Sequence, residues 1–401
     1  MSTPDRIAFV LKLARAMHAS GYAAHRLEEV LAATAHRLDL EAQFFSTPTA
    51  ISASFGPEED QRTYLLRVEP ADVDLSRLAH LDRVLLGVLN GQVTPADGAR
   101  EIARIVRLPP RYGALVTALA FGLASAAAGR FLGGGLVEIA VAAVIGLTTG
   151  LLAAGTRRAA GFARIFEPVA AFAAAGIAAA VSILLAPHSV FVATLAGLIV
   201  LIPGFTLTVA MTELATRHLA SGTARLSGAL LVFLTIIFGV ALGNTLVQAT
   251  LGAPRIVEPL PLPFWTELVA LALAPLGFAI LLRAEPRDIG WIMLAGWIAF
   301  VGARVGGRAL GPELGVFVGA LAVGVASNLY ALFLDRPSQI PLTPGVLLLV
   351  PGSIGFRSLA SLLDRQVISG VETAFTMVLM ATALVSGLLV ANVVVPRRKS
   401  G

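Results

Sequence analysis

Residues 197–204 read Gly-Leu-Ile-Val-Leu-Ile-Pro-Gly, and residues 345–352 read Gly-Val-Leu-Leu-Leu-Val-Pro-Gly. After both stretches the same landmarks recur at a constant separation of 148 residues: an Arg, a Ser-Gly pair, a Gly and an Asn. No gap is needed, and residues 197–245 match the shifted copy at 11 of 49 positions. Because Pro, Arg, Ser and Asn repeat as well as aliphatic residues, we interpret the pattern as an internal duplication. Chance similarity of two apolar segments is the alternative.

Each copy places its Pro-Gly pair inside a hydrophobic run. Proline lacks an amide hydrogen and clashes with the preceding helical turn, while glycine adds flexibility. Within a bilayer the freed carbonyl groups need partners in protein or water, so such a break belongs in a packed core or a cavity. Duplicated membrane units with broken helices are typical of secondary transporters. The pattern therefore favours transport, with a plain proline kink as the alternative.

The composition divides the chain into a charged beginning and an apolar remainder. The mean hydropathy of +0.82 and the 56% of hydrophobic residues are too high for a soluble protein of 401 residues. Residues 1–108 nevertheless hold 26 of the 55 charged side chains. We therefore expect a cytoplasmic domain over 1–108, a first membrane repeat over 109–252 and a second over 261–397. The high pI reflects basic membrane loops and does not indicate nucleic-acid binding.

Residues 1–108 predict a small α+β domain. Apolar residues follow helical spacing over 7–17, 27–38 and 75–89, and three short runs between residues 42 and 68 have strand character. The absence of cysteine excludes disulfides, zinc–thiolate sites and thiol catalysis. We find no nucleophile motif, metal-ligand spacing or phosphate loop, so we expect no enzyme activity, metal or cofactor.

The segment Thr47-Pro48-Thr49 has two interpretations. Proline fixes a bend there, and Thr49 can begin the next strand, which makes a structural role the first interpretation. The alternative is that Thr47, Pro48 and Thr49 contact the substrate or take part in gating.

Ten segments are each close to the roughly 20 residues that cross the hydrocarbon core of a bilayer. They are 112–129, 135–154, 166–186, 189–211, 226–250, 264–282, 287–306, 313–334, 340–363 and 371–395. Five fall in each half, and an odd number makes the second copy enter the membrane from the opposite side. The sequence thus predicts an all-α bundle of ten transmembrane helices in two inverted five-helix repeats. The first three spans align poorly, since Glu138 and Gly146 match Asp288 and Gly296 only at a separation of 150.

The loop charges favour cytoplasmic termini. With the amino terminus inside, 14 basic residues flank the cytoplasmic ends of the spans and six flank the outer ends, as the positive-inside rule requires. The cytoplasmic set is Arg104, Arg107, Arg111, Arg157, Arg158, Arg164, Arg217, Arg225, Arg283, Arg287, Arg336, Arg397, Arg398 and Lys399. The outer set is Arg130, Arg255, Arg304, Arg308, Arg357 and Arg365.

The polar residues at and after the breaks are the candidate substrate-binding and translocation residues. They are Pro203, Gly204, Thr206, Thr208, Glu213, Asn244, Pro351, Gly352, Ser353, Arg357 and Asn392. Each break restarts a helix whose positive dipole end suits a carboxylate. An acid within a membrane is costly, so Glu213 is a candidate ammonium ligand or proton carrier, or else an interfacial acid at the end of its span.

The other charged and amide side chains leave further alternatives. Arg357 is a candidate partner for a substrate carboxylate or for Glu213. Asn244 and Asn392 occupy matching points of the fifth and tenth spans, where we expect their amides to join helices, with a lining of the substrate path as the alternative.

The whole chain resembles the threonine/serine exporter family of bacteria. The motifs that carry the resemblance are Ala19-Ser20-Gly21-Tyr22, Arg26-Leu27-Glu28, Phe45-Ser46-Thr47-Pro48-Thr49 and the run from Pro341 to Ser353 with its Pro-Gly pair. The resemblance implies a multi-pass exporter of small hydroxy amino acids in the bacterial inner membrane, driven by the proton gradient. It also marks Pro203, Gly204, Glu213, Ser221, Gly222, Pro351, Gly352 and Ser353 as motif positions. In the family the acid after the first break is often an aspartate.

Other functions and partners stay open at this point. Some relatives divide the same layout between two polypeptides and are associated with dicarboxylate export, so succinate-like cargo is an alternative. A membrane-anchored enzyme or a metabolite sensor acting through residues 1–108 are two others. We expect a small-molecule substrate, membrane lipid and protons as partners, and no nucleic acid. Homo-oligomerisation is left open.

Overall fold

The structure is a computed structural model that describes residues 3–156 and 160–396. Five residues of the loop-charge argument lie outside this part of the chain: Arg157, Arg158, Arg397, Arg398 and Lys399. The remaining flanking charges fall within it.

The front domain, residues 3–107, combines four helices with a three-stranded sheet. The helices are α1 Thr3–His18, α2 Ala24–Arg37, α3 Leu75–Leu89 and α4 Pro95–Arg107. The strands β1 Ala42–Thr47, β2 Ala50–Phe55 and β3 Arg62–Arg67 pair antiparallel in that order. In β2, the apolar residues Ile51, Ala53 and Phe55 are buried while the serines between them are not, as a period of two requires. The mixed helix-and-strand character predicted for this region is confirmed.

Local capping fixes where α3 and α4 begin. The Asp74 side chain accepts a hydrogen bond from the Arg77 amide at 3.0 Å, and the Thr94 hydroxyl accepts one from the Asp97 amide at 3.1 Å. Strand β2 begins at Ala50, so the expectation that Thr49 begins it is wrong by one residue. Thr49 lies in the turn, because the Thr47 hydroxyl accepts a hydrogen bond from the Ala50 amide at 3.1 Å and so closes the hairpin.

The rest of the chain is helical. After α4 come α5 Ala114–Phe131, α6 Leu136–Thr156, α7 Ala160–Ala163, α8 Phe166–Leu184, α9 Val190–Gly197, α10 Gly204–Ala215 and α11 Leu219–Leu251. These are followed by α12 Trp265–Leu281, α13 Ile289–Leu310, α14 Pro312–Leu334, α15 Gln339–Leu347, α16 Gly352–Leu363 and α17 Val367–Val394. Each predicted span coincides with one helix, except 189–211 and 340–363, which each coincide with a pair.

Eight segments of the described residues are long and apolar enough to cross a membrane. Two predicted spans are not among the eight, because α9 and α10 are separate short helices and α12 has only 17 residues. Large apolar side chains remain exposed along the apolar helices, as on α11, where Leu231 is 62% and Phe238 is 65% exposed. Such surfaces are stable against lipid and not against water. The protein is therefore a multi-pass membrane protein.

Both predicted breaks are present. Helix α9 ends at Gly197 and α10 begins at Gly204, while α15 ends at Leu347 and α16 begins at Gly352. Pro203 and Pro351 adopt nearly the same backbone angles before the restarts, with φ of −78° and −81° and ψ of 39° and 30°. The two copies of the Pro-Gly motif thus dictate the same local conformation.

The two halves pack their corresponding helices in the same way. Helix α8 lies on α11 as α14 lies on α17, and α10 lies on α11 as α16 lies on α17. A Cβ atom added at Gly239 would lie 2.3 Å from the Pro168 oxygen, and one at Gly387 would lie 2.5 Å from the Phe317 oxygen. The matched glycines are 148 residues apart, whereas the residues that they touch are 149 apart.

A similar comparison explains why the first spans align poorly. An added Cβ atom on Gly146 would lie 2.7 Å from Cβ of Ser125, and one on Gly296 would lie 2.6 Å from Cγ of Pro275. Gly146 and Gly296 are 150 residues apart, and so are Ser125 and Pro275. The separation therefore falls from 150 to 149 to 148 along the halves, so a single shift cannot align them.

Candidate functional site

The two helix breaks meet at a contact that we name the Gly204–Gly352 crossing. A Cβ atom added to Gly204 would lie 3.0 Å from Cα of Gly352 and 2.4 Å from Cγ1 of Val350. One added to Gly352 would lie 3.1 Å from Cα of Gly204 and 2.8 Å from Cγ2 of Ile202. The two glycines occupy matched positions of the two copies, and each contacts the other in the same way. Only glycine fits at both positions without moving a neighbour.

Both short helices start at this crossing with backbone amides that lack a hydrogen-bond partner among the described residues. In α10 the first helical hydrogen bond runs from the Leu207 amide to the Pro203 oxygen at 2.9 Å. In α16 it runs from the Gly355 amide to the Pro351 oxygen at 3.2 Å. The Gly204 amide donates to the Ile202 oxygen at 2.7 Å, whereas the amides of Thr206 and Ser353 have no hydrogen-bond partner in the described part of the chain. Two positive helix ends therefore converge on one place.

Three hydroxyl groups predicted from the sequence lie near the crossing. Thr206 and Ser353 are half-buried in the first turns of α10 and α16. Thr208 is buried, and its hydroxyl donates to the Gly204 oxygen at 3.1 Å. That bond satisfies the hydroxyl within its own helix. The structure thus brings together Pro203, Gly204, Thr206, Thr208, Pro351, Gly352 and Ser353.

Glu213 lies away from the crossing, at the far end of α10. Nine residues separate it from Gly204, which is about 14 Å along a helix. Its side chain is fully buried, with 0% exposure. Glu213 thus lies near the end of α10, which ends at Ala215.

Three groups bind the Glu213 carboxylate. The Arg225 Nε donates to Oε1 at 3.0 Å and to Oε2 at 3.1 Å, and the Ser221 hydroxyl donates to Oε2 at 2.9 Å. The third donor is the backbone amide of Ala24 in the front domain, at 2.9 Å from Oε1. The guanidinium partner of Glu213 is thus Arg225, and the suggested pairing with Arg357 is wrong.

Arg357 takes another position. Its side chain is exposed, and the guanidinium carbon lies 5.8 Å from the centre of the Phe191 ring at the start of α9. This is a cation–π contact between the two halves. It leaves Arg357 beside α9 and not in the crossing.

The two repeated asparagines have different surroundings. Asn392 Oδ1 accepts a hydrogen bond from Asn328 Nδ2 at 3.1 Å, and Asn328 also donates to the Val395 oxygen at 2.9 Å. Asn392 therefore joins α17 to α14, as expected of an interhelical amide. Asn244 is half-buried on α11. Asn328 gave no signal in the sequence because Ala179 occupies its counterpart in the first half.

The front domain docks on three connections of the membrane part. On the α10–α11 connection, His218 Nε2 lies 3.3 Å from Glu28 Oε2. On the α12–α13 connection, the Leu75 amide donates to the Leu282 oxygen at 2.9 Å, and Arg283 donates to Asp74 at 3.1 Å. On the α14–α15 connection, residues of both parts line a small cavity of about 30 Å³. These three connections therefore lie on the same side of the bundle.

The hairpin tip with Thr47, Pro48 and Thr49 belongs to this interface. The Thr47 oxygen lies 3.3 Å from Nε2 of His18, and strand β1 packs against α11. Burial lowers the pKa of His18, and the bond to the Thr47 carbonyl opposes that shift. Burial also raises the pKa of Glu28, which the bond from the Ser46 amide at 2.6 Å opposes. The tip thus borders the groups that bind Glu213 and His218.

Within residues 3–156 and 160–396, no group of three or more His, Asp or Glu side chains is arranged to hold a metal ion. The candidate site is therefore described by backbone amides, hydroxyls and the Glu213–Arg225 pair.

Comparison with curated proteins finds relatives among fungal membrane proteins. Pheromone-regulated membrane protein 10 of Candida albicans is 24% identical over 382 residues, covering 92% of this chain and 34% of that protein. The protein of that name in Eremothecium gossypii is 24% identical over 383 residues, covering 93% of this chain and 51% of that protein. The chain thus spans a third to a half of the length of these relatives. No solved structure matches the chain.

Comparison with family models covers both halves of the chain. The ThrE model, of a threonine/serine exporter, matches residues 8–247. A second model, described as Threonine/Serine exporter, ThrE, matches residues 267–394. Together they include the front domain and both breaks. The chain belongs to the threonine/serine exporter family.

Proposed function

We propose that the protein is a secondary active exporter of threonine and serine, driven by the proton-motive force. The observation that carries this proposal is the Gly204–Gly352 crossing, where two interrupted helices of matched sequence begin face to face. Family membership supplies the cargo class, and the crossing supplies a place for it.

The cargo carboxylate would bind the free amides at the starts of α10 and α16. A helix start binds anions because its amide hydrogens are unpaired and its dipole is positive. The hydroxyls of Thr206 and Ser353 lie in the same turns and suit a small hydroxy amino acid. Glycine on both sides leaves the backbone itself as the wall of the site, which favours small cargo.

We further propose that the two halves are inverted repeats in a bacterial inner membrane, with both termini cytoplasmic. The matched packing of corresponding helices supports a two-fold relation. The front domain touches the α10–α11, α12–α13 and α14–α15 connections, which a ten-span topology with a cytoplasmic amino terminus places on the inner side. In that topology the α16–α17 connection lies outside, although it matches α10–α11 in sequence.

Dicarboxylate export is the second candidate, and one observation favours it. A zwitterion gains from an acid beside its ammonium group, yet Glu213 lies about 14 Å from the crossing along α10. Two converging positive helix ends would also suit a dianion. On charge alone, therefore, the crossing gives an amino acid no advantage over a dicarboxylate.

The deciding experiment compares cells that carry the protein after loading with threonine dipeptide or with succinate. We expect threonine to leave against its gradient, and the export to stop when an uncoupler collapses the proton-motive force. Export of succinate but not of threonine would make the protein a dicarboxylate exporter. Equal efflux from cells that lack the protein would reject the proposal.

A further inference from the structure

Helix α2 of the front domain is capped by a residue of the membrane part. Its N-cap residue is Ala23, which has no side-chain hydrogen-bond acceptor. The next amide, that of Ala24, is buried and donates to Glu213, which lies 189 residues further along the chain. A carboxylate at a helix start is favourable because it meets both a free amide and the positive dipole end. The membrane part therefore completes a helix that the front domain cannot cap itself.

The contact also hides a charge pair that matches a free amino acid. Glu213 is fully buried and Arg225 is 19% exposed, and they face each other beside the Ser221 hydroxyl. Without the Ala24 amide, one oxygen of Glu213 would lose a donor, which a buried carboxylate tolerates poorly. The ammonium group of a zwitterion could take the place of that amide, and Arg225 could bind the carboxylate.

The front domain also ties the two halves together while it is docked. It binds the first half through Glu213 and His218, and the second half through Leu282 and Arg283. Alternating access requires one half to move against the other. The docked domain therefore opposes that motion on its own side of the bundle.

We propose that the front domain is a gate over a cargo entry site formed by Glu213 and Arg225. The start of α2 occupies Glu213 as a stand-in for the ammonium group of an α-amino acid, and cargo enters when it displaces α2. This inference rests on the proposed function, because it names the entry site and the gate of the same exporter.

The gate can be locked by cross-linking, because the chain contains no cysteine. Arg26 on α2 and Gln339 at the start of α15 line the same small cavity between the two parts. In R26C/Q339C, a short bifunctional thiol reagent with a cleavable disulfide would join them. Threonine efflux is measured before cross-linking, after it, and after reduction. We expect at least a tenfold loss that reduction reverses.

The matched control places the same link inside the front domain. Ser54 and Thr63 lie on neighbouring strands with their hydroxyls 2.7 Å apart, so S54C/T63C takes the reagent without tying the two parts. Efflux from this control should not change. Full efflux from cross-linked R26C/Q339C would overturn the gate.

A second measurement does not depend on transport. Hydrogen exchange of the amides over 24–27 is followed in the full chain in lipid nanodiscs, with threonine or with succinate. Threonine should speed exchange at least fivefold while exchange in β2 stays constant, because cargo displaces α2 from Glu213. Unchanged exchange with threonine would overturn the entry site. This result is independent of the proposed function, because it does not require any efflux.

Discussion

Glu213 is a buried carboxyl group, so its hydrogen-bond partners decide whether it is tolerated. The acid itself could be singled out from the sequence, because a carboxylate within an apolar segment is costly. Its position could not, since the Ala24 amide comes from a distant part of the chain and backbone groups leave no mark in a sequence. Ser221 and Arg225 were visible as residues but not as ligands of Glu213.

Removing the charge of Glu213 should destabilise the protein. In Glu213→Gln, Arg225 is left without its counter-charge, and we expect the free energy of unfolding to fall by about 3 kcal/mol. In Glu213→Gln/Arg225→Gln the loss should be smaller than the sum of the two single losses, because the partners interact. Unfolding in detergent measures both.

The control for this change is Glu372→Gln, at an exposed position of α17. Its effect should stay within about 0.5 kcal/mol. If Glu213→Gln were equally neutral, the contacts of Glu213 with Arg225, Ser221 and Ala24 would not stabilise the fold.

Acid should destabilise the protein through His18. Burial holds its pKa below the ordinary value of 6.5, so the folded state favours the neutral imidazole. The stabilisation from this group is complete above pH 6.5 and is lost as the pH falls through the lowered pKa. The charged or titratable groups of the surrounding elements are Glu213, Arg225, Glu28, His25 and His218.

The measurement is the unfolding midpoint of the purified protein between about pH 8 and about pH 5. The fall at acid pH should be smaller in His18→Gln than in the parent chain. His36→Gln, which changes an exposed histidine, should leave the fall unchanged. An identical pH profile for His18→Gln and the parent would contradict the assignment.

At the scale of elements, the breaks were predictable and the register of the repeat was not. A proline in an apolar run interrupts a helix by its own covalent structure, so two Pro-Gly pairs sufficed to place α9, α10, α15 and α16. The first three spans of each half could not be aligned, because equivalent residues are 150 apart in the earlier spans and 149 apart in the third. Small differences in connection length hide a repeat from any fixed shift, whereas packing preserves it.

A methyl group at the crossing should impair export. In Gly204→Ala the new carbon would lie 2.4 Å from Val350 and 3.0 Å from the backbone of Gly352, so the breaks must separate. We expect a loss of about 1–3 kcal/mol in stability and at least a tenfold loss of efflux, about 1.4 kcal/mol in the barrier. Gly352→Ala should act alike, given the reciprocal contact.

Gly228→Ala is the matched control, because nothing lies within 4 Å of an added carbon there. On helix propensity alone it should be neutral or stabilising by up to about 1 kcal/mol. Normal efflux from Gly204→Ala would mean that the crossing is not part of the transport path.

For the whole molecule, the docking of the front domain was beyond sequence reasoning. Helical and strand periodicities gave its elements and an α+β class, because these signals are local. The contacts that seat it on the bundle join positions such as Asp74 and Arg283, which are 209 residues apart. A single sequence carries no record of such pairs. These contacts nevertheless show that three helix connections lie on the same side of the bundle as the front domain.

The inverted relation of the halves can be tested at two matched positions. Leu219 and Val367 are the first residues of α11 and α17, they are 148 residues apart, and they are 61% and 59% exposed. In an otherwise cysteine-free chain, Leu219→Cys should react with a membrane-impermeant thiol reagent only from the cytoplasmic side. Val367→Cys should react only from outside, because five spans separate equivalent points of the two repeats. Labelling of both from one side would make the halves parallel and would reject the inverted topology.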